Sequence, residues 1–366
     1  MTWSLTEDEV RSIAIGAGVL GTGGGGDPYL SQLQLIELLR QGKTVKVIPA
    51  HQLPEDAVGC GVSGMGAPTI GIEKLPVGDE MWQAAKALQD HLHVKFSFVV
   101  IGEIGGGNAL EGLIAGAYSG LPVVDADPMG RAFPELQMDT FMIHGVSPSP
   151  FGLYDGHGNA AVLHVQDART AERYGRALTI AMGGSSSLAL PVVTGRQVKA
   201  YAIHGTLSLS LRIGQAIRDA VASKRDVLEA VSRVLPLKHL FFGKVVDIER
   251  KTTGGFARGR MVLEGLGAFS GSEFHVDIQN EFLIGWLDGR PVATVPDLIS
   301  VLDADSGLPV GTESLKYGLR LNVIGIPASR KLKTARALEV VGPRAFGYDV
   351  DFQPLLGDLP EAEWAV

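Results

Sequence analysis

Phe96-Ser97-Phe98-Val99-Val100-Ile101 runs directly into Gly102-Glu103-Ile104-Gly105-Gly106-Gly107, and after the helical stretch 108–119 the chain becomes extended again at Pro122–Asp125. A strand that is apolar without alternation has no face to give to water, so it belongs inside a sheet covered on both sides. The intervening helix is long enough to carry the chain back over the sheet, which predicts a βαβ crossover with parallel pairing. This unit constrains the fold more than any other feature. It points to an α/β architecture for the first part of the chain.

Around it, Thr6-x-x-Glu9 is a capping box opening a helix over 7–18, and Asp27-Pro28 is a cap and first-turn pair for a second helix that stops at Gln41-Gly42. Thr44–Ile48 and Ala57–Val62 read as strands, the latter ending in a loop Ser63–Pro68, and 79–92 reads as an amphipathic helix. Asp127-Pro128 repeats the acid-proline helix start and predicts a short helix through Arg131 and Glu135. A hairpin turn is expected at Asp155–Asn159, and helices over 167–182 and 206–235. From Gly243 onward the texture is of strands: 244–249, 260–264, 273–287, 292–295 and 319–324. The expected organisation is therefore α/β plus β: an α/β domain with glycine-rich loops over 1–166, then a domain over 167–366 that is helical at first and β-rich afterwards.

Glycine supplies 48 of 366 residues, about 13% against a usual share of about 7%, with no collagen or low-complexity period. The net charge of −8 gives no electrostatic reason to seek nucleic acid or an anionic membrane. The lone Cys60 excludes an intrachain disulfide and any Cys-x-x-Cys site, and reads as a small buried filler. The acidic start of the chain lacks the layout of a signal peptide, and no window holds the apolar run of a membrane span; the expected setting is the cytoplasm.

Gly21-x-Gly23-x-x-Gly26 matches the letters of a dinucleotide fingerprint, but a helix rather than a strand precedes it, and no acid stands where a ribose would need one. Two readings of this loop stay open: bare N–H groups holding an anionic group, or a tight turn where elements pack too closely for side chains. Ligands of parallel α/β sheets gather beyond the carboxyl ends of the strands. Glu103, Asp125 and Asp127 all fall there. Asn108 with Glu111, and Asp127 with Pro128, have ready explanations as helix caps, whereas Glu103 has none and is the preferred catalytic carboxylate. Arg131 either pairs with Glu135 four residues on or clamps a substrate carboxylate. Asp125, Asp127 and His204 are the candidate set for a divalent metal such as zinc, set against structural roles for each. Gly183-Gly184-Ser185-Ser186-Ser187 is not a nucleophile elbow, so a covalent serine mechanism is not favoured.

Leu20–Leu30, Gly102–Leu110 and Pro122–Met138, together with Gln279-Asn280-Glu281, Pro296–Ile299, Tyr317–Arg320 and Val341–Asp349, resemble the S-methyl thiohydantoin desulfurase domain family, which is associated with hydantoinase and oxoprolinase proteins. The resemblance spans nearly the whole chain. It implies a three-layer α/β domain followed by a β-rich, barrel-like one, and hydrolysis of a hydantoin-like ring in which oxygen replaces a methylthio group. It assigns no residue roles; those come from the residues themselves.

The expected site is accordingly a small-molecule site for a cyclic amide or thioamide. Water would attack the carbon between the two ring nitrogens, with Glu103 as base and Asp127 as a second catalytic carboxylate. N–H groups of Gly23, Gly24, Gly25 and Gly26, or of Gly106 and Gly107, would steady the developing charge. Asn108 would fix the ring amide, and Arg131 an attached carboxylate. With a bound metal, Asp125, Asp127 and His204 would hold it. The alternative is a non-catalytic accessory or scaffold subunit, for which Glu103, Asn108, Asp125 and Asp127 would be buried and paired without a cavity. The acidic, apolar-rich chain is compatible with a homo-oligomer.

Overall fold

A computed structural model describes residues 2–66, 70 and 76–357. The first part of the chain forms β1 (Trp3–Ser4), α1 (Glu7–Leu20), α2 (Pro28–Arg40), β2 (Lys46–Pro49), β3 (Val58–Gly66), α3 (Glu80–Leu92), β4 (Phe98–Ile101), α4 (Gly106–Ser119) and β5 (Val123–Asp127). It continues through α5 (Thr140–Ile143), the hairpin β6 (Phe151–Tyr154) and β7 (Ala160–Leu163), α6 (Ala168–Ala181), β8 (Ser185–Thr194), α7 (Gly195–Tyr201), β9 (Ile203–His204), α8 (Thr206–Ala222) and α9 (Val227–Ser232).

These strands make one sheet in the order β1-β2-β5-β4-β3-β8-β6-β7, with β9 pairing to β5. Its centre, β2-β5-β4-β3, is parallel, and Val99↔Val123 and Val100↔Val124 are the register of β4 on β5. The βαβ expectation therefore holds, with α4 as the crossover. Alternate residues of β4 serve opposite faces: Val99 packs with Leu88 and Ala115 from α3 and α4, while Phe98 and Val100 pack with Phe141 and Val198 from α5 and α7. Both faces are covered, giving three layers. That is why the strand carries no polar stripe.

The stretch 167–235 stays with this first sheet, because β8 is hydrogen-bonded to β3 on one side and β6 on the other. The second sheet begins with β10 (Lys238–Thr253) and adds β11 (Phe256–Gly265), β12 (Glu273–Gln279), β13 (Glu281–Leu287), β14 (Arg290–Thr294), β15 (Leu298–Asp303) and β16 (Arg320–Ile326), before a last helix α10 (Ala335–Val341). It is antiparallel throughout, in the order β14-β13-β12-β11-β10-β16-β15, and it curls until its two outer strands touch. The β-rich, barrel-like second part is thus present.

Several local expectations are corrected. The loop expected at Ser63–Gly66 is the end of β3, held in register by β8; Ala67 and Pro68 lie outside the described residues. The helix expected at 127–135 is absent, and that segment is irregular up to the short 3-10 turn Leu136–Met138. The helix expected over 206–235 breaks into α8 and α9 around Lys224, which has a φ of 53°. The single strand expected over 273–287 is two, folded back at Asn280, whose φ is 56°. Among the described residues, no helix is long and apolar enough to cross a membrane.

The sheets share a core, since Val10, Ile13 and Ile213 of α1 and α8 cluster with Leu283, Leu298 and Ile324 of the second sheet. Helices α1 and α8 meet backbone to backbone: a Cβ on Gly16 would lie 1.8 Å from the Ser210 carbonyl oxygen, and one on Gly214 1.8 Å from that of Ser12. Part of the glycine excess is explained by this crossing.

Candidate functional site

A cavity of about 480 Å³ opens beyond the carboxyl ends of β3 and β4, between the loops of the first sheet and the Asn280–Glu281 corner of the second. Its size suits a small-molecule ligand. Glu103 and Asn108 line it, as do Gly25, Gly26 and Gly107; Gly23, Gly24, Gly106, Asp125, Asp127 and Arg131 do not.

Glu103 follows the end of β4 and is only 6% exposed. Asn108 Nδ2 donates to its Oε1, and the Phe133 N–H donates to its Oε2 at 3.1 Å. Asn108 in turn accepts from the Gly64 N–H at 2.7 Å, tying the end of β3 to the carboxyl. It is therefore not the cap expected from its place in sequence: α4 begins two residues earlier, and Glu111 accepts from Ser31 instead of reaching back. Burial pushes the Glu103 pKa up to about 7; the bonds from Asn108 and Phe133 and the Arg131 charge work against that rise, and nearby Asp127 adds to it.

The other candidates have structural duties. Asp127 is fully buried and its Oδ2 accepts from the N–H groups of Ile104, Met129 and Gly130, at 3.1, 2.9 and 2.8 Å. It orders the turn behind Glu103 instead of capping a helix or facing the cavity. Asp125 caps α8, accepting from the N–H groups of Leu207 and Ser208 at 2.9 and 3.1 Å and from the Ser208 hydroxyl. His204 sits on β9 with Nε2 3.2 Å from the Val198 carbonyl oxygen. Asp125, Asp127 and His204 thus do not converge as ligands, and among the described residues no group of three or more His, Cys, Asp or Glu side chains does. Arg131 is neither paired with Glu135 nor free for a substrate carboxylate. It is wholly buried and donates to Ala132 O, Pro296 O, Asp297 O, Thr22 Oγ1 and Phe282 O, between 2.8 and 3.3 Å, fastening the first sheet's loops to the second sheet.

The two glycine loops dock on each other. Gly107 N–H donates to Gly26 O at 2.9 Å, and Asn108 N–H to Gly25 O at 3.2 Å, so these N–H groups of the α4 N-terminus are already used. A Cβ on Gly25, at φ 77°, would stand 2.2 Å from Gly105 O, and one on Gly24 2.1 Å from Glu281 Oε1. Close packing, one of the two readings of the loop, accounts for Gly24 and Gly25, while Gly25 and Gly26 also line the cavity.

Residues outside the expected set complete the cavity wall. Ser185–Ser187 line it from β8, where the Ser186 hydroxyl is 2.7 Å from that of Thr179. Arg176, the one arginine or lysine among the described lining residues, is bound to Glu172 at 2.7 Å and to Pro134 O at 2.8 Å. Asp27, Glu80, Glu111 and Glu135 leave the wall predominantly acidic. Glu281 is the principal omission. It is 2% exposed, its Oε2 has no hydrogen-bond partner among the described residues, and burial followed by repulsion from Glu103 drives its pKa well above the ordinary range, opposed by Arg131 and Arg176. Its backbone is positioned by Asn280, whose N–H and Oδ1 bond to Ala257 and whose carbonyl accepts from Thr312. An acid opening an otherwise apolar strand, Glu281-Phe282-Leu283-Ile284, was the available signal.

The N-terminal domain of the S-Me-THD-like family matches residues 8–165, and its C-terminal domain matches residues 166–355. The chain belongs to this family. Its fold is similar to the crystal structure of a protein from Chromobacterium violaceum, a structural genomics target, with a TM-score of 0.81 and 26% identity over 96% of this chain and 100% of that one. Nothing among curated proteins matches the chain.

Proposed function

We propose that this protein is a hydrolase of hydantoin-like rings that exchanges a methylthio group on the carbon between two ring nitrogens for oxygen, releasing a thiol. The observation carrying the reading is Glu103, a buried carboxyl at the cavity wall with a pKa of about 7. A group so poised is ionised often enough near neutrality to take a proton from water, and basic enough to use it. The family to which the chain belongs supplies the ring chemistry, and the acidic wall, whose one arginine among the described residues is paired with Glu172, suits an uncharged ring better than one bearing a carboxylate. An accessory-subunit role accounts for the paired Asp125 and Asp127 but leaves an open cavity with a carboxyl near neutrality unexplained.

The test is thiol release from a panel of S-methyl thiohydantoins, with thiohydantoins and hydantoins beside them. Glu103→Gln keeps the shape and removes the base, and is expected to cost about 10²–10⁴ in turnover. Turnover close to wild type in that variant refutes the role of Glu103, and no thiol from any member of the panel refutes the function.

A further inference from the structure

We infer that Glu281, supplied by the second sheet, enters the cavity as a neutral carboxylic acid and donates its proton to the leaving sulfur. The inference rests on the function proposed above. Three observations carry it. Glu281 lines the cavity while 2% exposed, its Oε2 has no hydrogen-bond partner among the described residues, and Gly24 leaves room for the carboxyl where a Cβ would lie 2.1 Å from Oε1. A buried oxygen without a partner is costly unless a ligand completes it. The charged groups that act on it are Glu103, which lines the same cavity, and the guanidinium groups of Arg131 and Arg176. Two carboxyl groups that repel each other in a buried site do not both ionise readily, so one keeps a proton while the other stays a base.

The division of labour balances. Glu103 takes one proton of the attacking water as the C–O bond forms, and the electron pair of the ring C=N bond moves onto nitrogen. Its return breaks the C–S bond; sulfur leaves with the bonding pair and takes the Glu281 proton, giving methanethiol. The proton held by Glu103 then passes to Glu281, and the new hydroxyl proton moves to the ring nitrogen, giving the hydantoin.

The experiment compares a methylthio substrate with an S-(4-nitrophenyl) analogue, whose thiolate departs without a proton. In Glu281→Gln, release of methanethiol is expected to fall by about 10²-fold or more and release of the nitrothiophenolate by less than about tenfold, whereas Glu103→Gln slows both. In the wild-type enzyme the methylthio reaction alone loses rate at alkaline pH, as Glu281 ionises, a comparison that needs no variant to fold. Equal losses on both substrates in E281Q, or none, overturn the assignment. Failure of the functional reading is separable: a wild-type protein that releases thiol from neither substrate refutes that reading, and the carboxylic-acid band in the infrared difference spectrum between wild type and E281Q at pH 8 then decides whether Glu281 holds a proton. Absence of that band overturns the inference.

Discussion

Glu103→Gln should change stability in a way that depends on pH. A rise in pKa from the ordinary 4.5 to about 7 means that burying the ionised carboxyl costs about 3 kcal/mol. The folded state holds its proton more tightly than the unfolded state does. The stability gained from that proton is fully present below pH 4.5 and is lost as pH rises towards and through 7. Glutamine cannot ionise, so the variant escapes this loss; it sacrifices part of the bonding to Asn108 and the Phe133 N–H, worth about 1 kcal/mol. E103Q is therefore expected within about 1 kcal/mol of wild type at pH 5, and the difference should move in the variant's favour by about 2–3 kcal/mol between pH 5 and pH 8. Urea unfolding of both proteins at the two pH values measures it. A difference that stays constant with pH would show that Glu103 has no raised pKa, and the argument for it as a base would fall with it.

Turnover of the wild type should climb with pH through about 7 as Glu103 becomes ionised, and a pH profile of kcat/KM flat from 5 to 8 would contradict this. Arg131→Met strips five carbonyl and hydroxyl acceptors of their donor and leaves Glu281 and Asp297 without its charge, so a loss of about 3–5 kcal/mol is expected in denaturant unfolding. Gly25→Ala, forced against Gly105 O at positive φ, should destabilise the fold by more than about 1 kcal/mol, read as a lowered melting temperature; unchanged melting would show that the loop can shift. Asp125→Asn should cost about 1–2 kcal/mol as a weakened cap of α8, with turnover per folded molecule retained.

The parallel centre of the first sheet was legible because burial on both faces leaves its mark on every residue of 98–101. Glu103 was legible for a related reason, as an ionisable group in a glycine loop with no local task. Asp127 and Arg131 misled because, beside neighbours such as Met129 and Ala132, they bind partners far off in the chain: Ile104 precedes Asp127 by 23 positions and Asp297 follows Arg131 by 166. A local pattern such as Asp-Pro, or an i,i+4 pair, says nothing about such contacts. Strand β8 was missed because Gly183–Ser187 reads as a loop and Pro191 interrupts the apolar run, although all ten of its residues, 185–194, are extended. Glu281 carries no local signal of a site beyond its place in Gln279-Asn280-Glu281 at the head of an apolar strand, since its cavity exists only once two sheets are brought together.

The family boundary at 165/166 falls before β8, yet β8 lies between β3 and the β6–β7 hairpin. A gene cut at that point would yield a first fragment whose β3 has an unpaired apolar edge and whose hairpin has lost its only bond to the sheet among the described strands. Such an edge recruits other copies instead of remaining single. Helix α1 would also lose α8, the partner that its Gly16 lets approach. The boundary thus divides the sequence but not the fold: as the chain is made, the first sheet gains the strand between β3 and the hairpin only once β8, ending at Thr194, has followed, and α1 its partner only once α8, ending at Ala222, has.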